Sequence, residues 1–227
     1  MKKSNIYLIS LLSSVTLFII TGAVVSVARG KPEKNENSFT QKVPAYSYIS
    51  LQNTNYYVSI ATADSYEFKV YLEKDVEQIE IPYTIKGDTL VLSELPKERA
   101  EGMESLQLSL PLETLNIIAK SSNIGFNEFK GSSLKLELDG SEGYMRNREG
   151  KGLSNLEISG TNNSNFDSHL ACDSIRLNLD KSNFNNWGDT QFIEGKLINK
   201  ASVTQNNPGE TNLSKDATSQ IHYYYND

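Results

Sequence analysis

Residues 164–184 read SNFDSHLACDSIRLNLDKSNF, and the repetition inside this stretch decides the fold. It opens and closes on the same triplet, Ser164-Asn165-Phe166 and Ser182-Asn183-Phe184, set 18 residues apart. Between them lies Ile175-x-Leu177-x-Leu179, an alternation that turns apolar side chains to one face of a strand and Arg176 and Asn178 to the other.

The same polar-then-apolar step recurs outward from this stretch. It reads as Ser122-Asn123-Ile124, Glu142-Gly143-Tyr144, Ala201-Ser202-Val203 and Ser219-Gln220-Ile221, so successive apolar members stand 20, 22, 18, 19 and 18 residues apart. Ahead of the steps run further alternating strands: Leu115-x-Ile117-x-Ala119, Leu134-x-Leu136-x-Leu138 and Leu156-x-Ile158. One coil of this kind cannot bury its apolar face alone, so the coils must stack and share a core. An antiparallel sandwich is the competing arrangement, but its strands return about every 8–12 residues. Here a two-strand block returns in register, which favours an all-β parallel β-helix-like solenoid with coils of about 19 residues. The Asn residues at 123, 165 and 183 are expected to stack as a hydrogen-bonded amide ladder.

Composition narrows the function. The 227 residues carry a formal charge of −6, and two of the 22 basic residues, Lys2 and Lys3, precede an apolar N-terminal run. The remainder sets 20 basic against 28 acidic residues, so a nucleic-acid partner, which needs a clustered positive surface, is not expected. The single cysteine, Cys172, excludes an intramolecular disulfide and reads as a small buried residue. With only His169 and His222 beside it, no zinc site of His and Cys is expected, and no metal or other cofactor.

Ile6 to Val27 contains 22 residues without a charge, about 33 Å as a helix and enough to cross a bilayer. The flanking Lys2 and Lys3 predict a cytoplasmic N-terminus (1–5), a transmembrane signal anchor (6–28) held in the lipid bilayer, and a domain beyond it that is periplasmic or extracellular. The competing reading is a signal peptide cleaved after Ala28, at Ser26-Val27-Ala28. The apolar run, however, exceeds the roughly 7–15 residues of a cleavable signal. No Cys near residues 20–30 offers a site for a lipid anchor.

Residues 29–42 are polar with mixed charge and read as a tether. The folded part is then 43–227: a β-rich cap over 43–112 with strands at 46–51, 56–63, 66–72, 79–85, 89–95 and 106–112, and the repeating coils over 113–227. Lys86-Gly87-Asp88 marks a tight turn between two of these strands. His222-Tyr223-Tyr224-Tyr225 is expected to belong to the last coil and to cover its open end.

The order of the N-terminal motifs is also that of a known family. Tyr48-Ile49-Ser50-Leu51, Tyr57-Val58-Ser59-Ile60, Tyr66-Glu67-Phe68-Lys69-Val70 and Lys86-Gly87-Asp88-Thr89-Leu90-Val91-Leu92, followed by the Ser-Asn-Phe coils, resemble the "head GIN" domain family of auto-transporter adhesins. The resemblance spans about residues 44–222 and implies a right-handed β-helix-like portion and a place in the cell envelope. It brings no catalytic residues with it. An auto-transporter would add a C-terminal barrel of amphipathic strands, and residues after the coils carry none.

Catalytic ingredients are few. Ser168 and His169 are neighbours on a strand and point to opposite faces, which argues against a dyad. A β-helix polysaccharide lyase would need Asp139, Glu157 and Asp180 to gather a cation and Arg176 to act as base, but Asp139 and Asp180 sit at turns that favour Asp for local hydrogen bonding. The expectation is a non-enzymatic, membrane-anchored binding or adhesin-like module for an envelope protein or glycan, the alternative being an envelope structural or signalling protein with no external ligand. Its candidate contact residues are Tyr144, Arg146 and Arg148 in the irregular, glycine-bordered coil between Leu138 and Leu156, where a loop is expected to bulge, and Trp187. Trp187, the only Trp, lies in a turn-rich segment and is expected to be partly buried; if exposed, it suits stacking on a sugar ring.

Overall fold

The computed structural model describes residues 15–16, 37–146 and 152–225. Two compact units divide the chain, 1–36 and 37–227. The expected membrane anchor, 6–28, lies outside the described residues apart from Val15 and Thr16, which are helical. No helix among the described residues is long and apolar enough to cross a membrane.

Among its described residues the second unit is all-β apart from one helical turn at Lys97–Ala100. Its coils each contribute one strand to each of two sheets. Sheet B takes β8 (Thr114–Lys120), β10 (Ser133–Asp139), β12 (Leu153–Thr161), β14 (Cys172–Asp180), β16 (Thr190–Ile198) and β18 (Pro208–Lys215). Sheet A takes the intervening β9 (Asn123–Glu128), β11 (Glu142–Met145), β13 (Asn165–Ser168), β15 (Asn183–Asn186), β17 (Ser202–Asn206) and β19 (Gln220–Tyr224). Every neighbouring pair in these series is parallel, which establishes six stacked coils and excludes the antiparallel sandwich.

Parallel register stacks like on like. In sheet B, Ile117, Leu136, Ile158 and Leu177 form one buried column, and Leu115, Leu134, Leu156 and Ile175 another. In sheet A, Ile124, Phe166, Phe184 and Val203 share a column, with the Phe166 and Phe184 rings stacked 6.3 Å apart at 8°. Burial of these faces, at about 25 cal/mol per Å² of apolar surface, is the main force holding the coils together.

The register corrects one triplet. Gly143, not Tyr144, stands opposite Ile124 and Phe166, so the second step is Ser141-Glu142-Gly143. The reason is steric: a Cβ on Gly143 would lie 2.3 Å from Phe166 Cδ2, because the Phe166 ring already fills the slot. The corner ladder is likewise serine rather than asparagine. Ser122, Ser141, Ser164 and Ser182 are all buried, and Thr54 N donates to Ser122 Oγ (3.2 Å), Ser122 N to Ser141 Oγ (3.1 Å) and Ser141 N to Ser164 Oγ (3.2 Å). Asn165 and Asn183 do stack in register, but Asn165 and Asn185 both donate to the intervening Asp167 carboxylate, at 2.9 and 2.7 Å.

The N-terminal part shares the same sheets. β2 (Tyr48–Gln52) and β3 (Tyr57–Thr62) lie parallel to β8 and β9, and β6 (Thr89–Ser93) and β7 (Met103–Leu110) lie parallel to β2 and β3 on their other side. Antiparallel strands then close that end: β4 (Glu67–Leu72) and β1 (Asn37–Lys42) on sheet A, and β5 (Thr84–Lys86) on sheet B. The tight turn at Gly87, φ 63°, joins β5 to β6. Residues 37–42, which read as tether from composition, pair along β4 because Phe39 packs on the core and Asn37 Nδ2 donates to the Glu73 and Val76 carbonyls. Residues 79–83, read as strand, carry no strand pairing, although Ile81 is buried.

Candidate functional site

Where each sheet A strand ends, the last inward residue is followed by one that points outward. The inward column is Met145, Ser168, Asn186 and Gln205, all buried, with Asn186 Nδ2 donating to Gln205 Oε1 (3.2 Å) and to Thr190 Oγ1 (3.0 Å). The residues that follow are Arg146, His169, Trp187 and Asn206, with Tyr224 after the last inward residue. Their side chains form a strip along the stack, exposed at Arg146, His169, Trp187 and Tyr224 and half-buried at Asn206. Arg146 lies over the Tyr144 ring, 5.0 Å from its centroid, and Tyr144 meets His169 edge-on at 6.2 Å. His169 stacks on Trp187 at 6.4 Å and 29°, and Trp187 meets Tyr224 at 6.2 Å.

Three of the four residues singled out from sequence, Tyr144, Arg146 and Trp187, therefore belong to one surface. Arg148 lies outside the described residues, as does the 147–151 part of the coil between Leu138 and Leu156 in which a bulging loop was expected. Trp187 is 47% exposed, more open than the partial burial expected of it, because it follows the inward Asn186 and so projects from the outer face. His222, Tyr223 and Tyr224 belong to the last coil as expected; Tyr224 and Tyr225 are 53% and 68% exposed, and Tyr224 reaches the strip. From sequence His169 reads only as a candidate partner of Ser168, and Tyr224 as cover for the last coil. Their signal is positional: each directly follows a member of the inward column, which becomes visible only in the corrected register.

The rest of the outer face of sheet A is a polar mat. Asn165, Asp167, Asn183, Asn185, Ser202 and Thr204 project from it. Beside the strip, a cleft of about 460 Å³ is bordered by Asp173, Asp189, Gln191 and Tyr225. Cys172 lines it from within, and burial pushes its thiol up to about 12, which keeps it from acting as a nucleophile.

The residues a lyase would require are already engaged, although Glu157 stands beside Arg176 in register. Arg176 is ion-paired to Glu194 at 2.7 Å, and this partner raises its pKa, the wrong direction for a base. Glu157 pairs with Lys135 at 2.7 Å, Asp139 accepts from Asn162 Nδ2 at 2.6 Å, and Asp180 accepts from Asn199 Nδ2 at 2.9 Å. Among the described residues no three of His, Cys, Asp and Glu come together as metal ligands. Ser168 is buried while its neighbour His169 is exposed, so the two form no dyad.

Fold and site thus define a two-sheet parallel β-solenoid with an aromatic strip on one side. No family model matches the chain, and no curated protein does. Among solved structures, a protein named "putative adhesin" from Bacteroides fragilis is 12% identical, with a TM-score of 0.46 over 85% of this chain and 98% of that one. A "putative lipid binding protein" from Parabacteroides distasonis is 11% identical, TM-score 0.40, over 86% and 98%. A "putative cell adhesion protein" from Clostridium sporogenes is 10% identical, TM-score 0.34, over 85% and 100%. Likenesses at these scores carry no assignment to this chain.

Proposed function

We propose that this protein is a non-enzymatic, membrane-anchored binding module of the cell envelope, which lays the strip of Arg146, Tyr144, His169, Trp187 and Tyr224 against a glycan. The observation that carries the reading is the row of rings in mutual contact across successive coils, with His169, Trp187 and Tyr224 exposed. Rings with one apolar surface and a polar edge suit sugars, whose C–H faces pack on aromatics while their hydroxyls need hydrogen-bond partners. The polar mat of Asn, Ser and Thr beside the strip supplies such partners. The apolar run of residues 6–28 supports anchoring in the cytoplasmic membrane with the solenoid outside it, and the resemblance to the head GIN family supports an envelope role.

The test has two parts. Protease shaving of intact cells removes the solenoid if it faces the medium, and spares it until the envelope is opened if it works within. Titration of the full-length chain with neutral hexasaccharides, read by the fluorescence of Trp187, is expected to give saturable binding with at least one of them, and retention of that sugar by the immobilised protein is expected to be lost in Trp187→Ala. A set of neutral sugars that neither shifts the fluorescence nor is retained by the immobilised protein overturns the reading.

A further inference from the structure

The opposite border of the same sheet carries a different surface. Before each sheet A strand the chain turns through a left-handed residue: Asn163 (φ 63°), Lys181 (φ 51°) and Lys200 (φ 71°) in three successive coils. Asparagine tolerates this conformation; lysine has no local hydrogen bond to compensate for it and is not a residue that the turn itself selects. These corners, with Asn183, Asn199 and Thr218, line a groove of about 450 Å³. The groove draws on four coils, so at 4.7–4.9 Å per coil it runs about 14 Å along the stack, longer than a single small ion requires.

Its chemistry is specific. The lining residues are two lysines, three asparagines and one threonine, with no acid among them. Nearby acids are already committed. Asp180 accepts from Asn199 Nδ2, and Asp216 accepts from the backbone N–H groups of Asn199 (2.7 Å), Thr218 (3.0 Å) and Ser219 (2.9 Å). Among the described residues neither Lys181 nor Lys200 has an ion-pair partner. On a chain of net charge −6, the groove gathers two lysines without an ion-pair partner and has no acid in its lining, while Asp180 and Asp216 adjoin it through Asn199.

We infer that this groove binds an extended anionic glycan, the two ammonium groups meeting carboxylate or sulfate substituents and the amides of Asn163, Asn183 and Asn199 meeting ring hydroxyls. The absence of any apolar residue from its lining argues against a lipid chain or an apolar peptide side chain, and its length along the stack suits a polymer. The site is separate from the aromatic strip and does not depend on it.

The test uses the full-length chain in non-ionic detergent with four probes: oligogalacturonate, its neutral methyl ester, a heparin oligosaccharide, and poly-glutamate. Binding of at least one acidic sugar, weakened by salt, is expected. It should fall roughly tenfold in Lys181→Gln/Lys200→Gln and persist in Lys181→Arg/Lys200→Arg, in Trp187→Ala and in the control Lys86→Gln/Lys196→Gln. The two acidic sugars distinguish carboxylate from sulfate. Equal binding of the methyl ester, an equal loss in the control pair, or no acidic sugar bound at all overturns the inference; poly-glutamate bound as tightly as the sugars overturns its assignment to a glycan.

Discussion

Gly143→Ala should destabilise the native protein and stabilise a Phe166→Ala variant, a reversal of sign that follows from one contact. The added methyl would stand 2.3 Å from Phe166 Cδ2 and 2.7 Å from Cε2, against 3.4–4 Å for ordinary contact. Phe166 cannot yield the missing ångström: it is fully buried, with Phe126 at 6.2 Å on one side and Phe184 stacked at 6.3 Å on the other. Overpacking of this kind costs about 1–3 kcal/mol, and the rigid surroundings put Gly143→Ala near the upper end. At about 2–4 °C per kcal/mol for a domain of this size, Tm falls by roughly 6–12 °C. Phe166→Ala alone should cost about 3–5 kcal/mol by leaving a cavity. In that background the methyl has space, and replacing a strand glycine then gains about 0.5–1 kcal/mol through the reduced freedom of the unfolded chain. Urea denaturation of the four proteins, followed by far-UV circular dichroism, gives the coupling directly. Phe166→Leu should show the same reversal at lower cost. Costs that simply add would refute the assignment of Gly143 to the core slot.

Other outcomes can be read from single groups. Cys172 should react with a thiol reagent at pH 8 about a thousandfold more slowly in the native protein than in denaturant, since burial pushes its thiol up to about 12 from an ordinary value of 9.0; equal rates would show that the thiol is not buried. Asp216 is held well below its ordinary 3.8, first by the Asn199 backbone N–H and then by the Ser219 and Thr218 donors. Its folded pKa is depressed, so its contribution to stability is full above about pH 4 and is lost as pH falls through the lower folded value. Asp216→Asn should therefore lower Tm at pH 7 and differ progressively less from the native protein as the solution is acidified below pH 4. A difference independent of pH would refute the role of the charge.

The alternations Leu134-x-Leu136-x-Leu138 and Ile175-x-Leu177-x-Leu179, returning at a near-constant interval, were enough to determine the two-strand coil and the stacking, because which face of a strand is apolar is a local property of two-residue periodicity. So was the burial of Cys172, borne out at 4% exposure. What only the tertiary structure decided depends on residues one or two coils apart. The core slot at Gly143 looks empty in sequence because its occupant, the Phe166 ring, arrives from the next coil. This misplaces the triplet by one residue and hides the outward column of Arg146, His169 and Trp187. The order of the N-terminal coils, with β2 and β3 lying between β6–β7 and β8–β9, is also invisible locally, since strand alternation says which side is apolar and not which neighbour covers it. The lysine groove arises in the same way: Lys181 and Lys200 are ordinary charged turn residues along the chain, and only the stacking of successive corners, 19 residues apart in sequence and one coil apart in space, makes them a site.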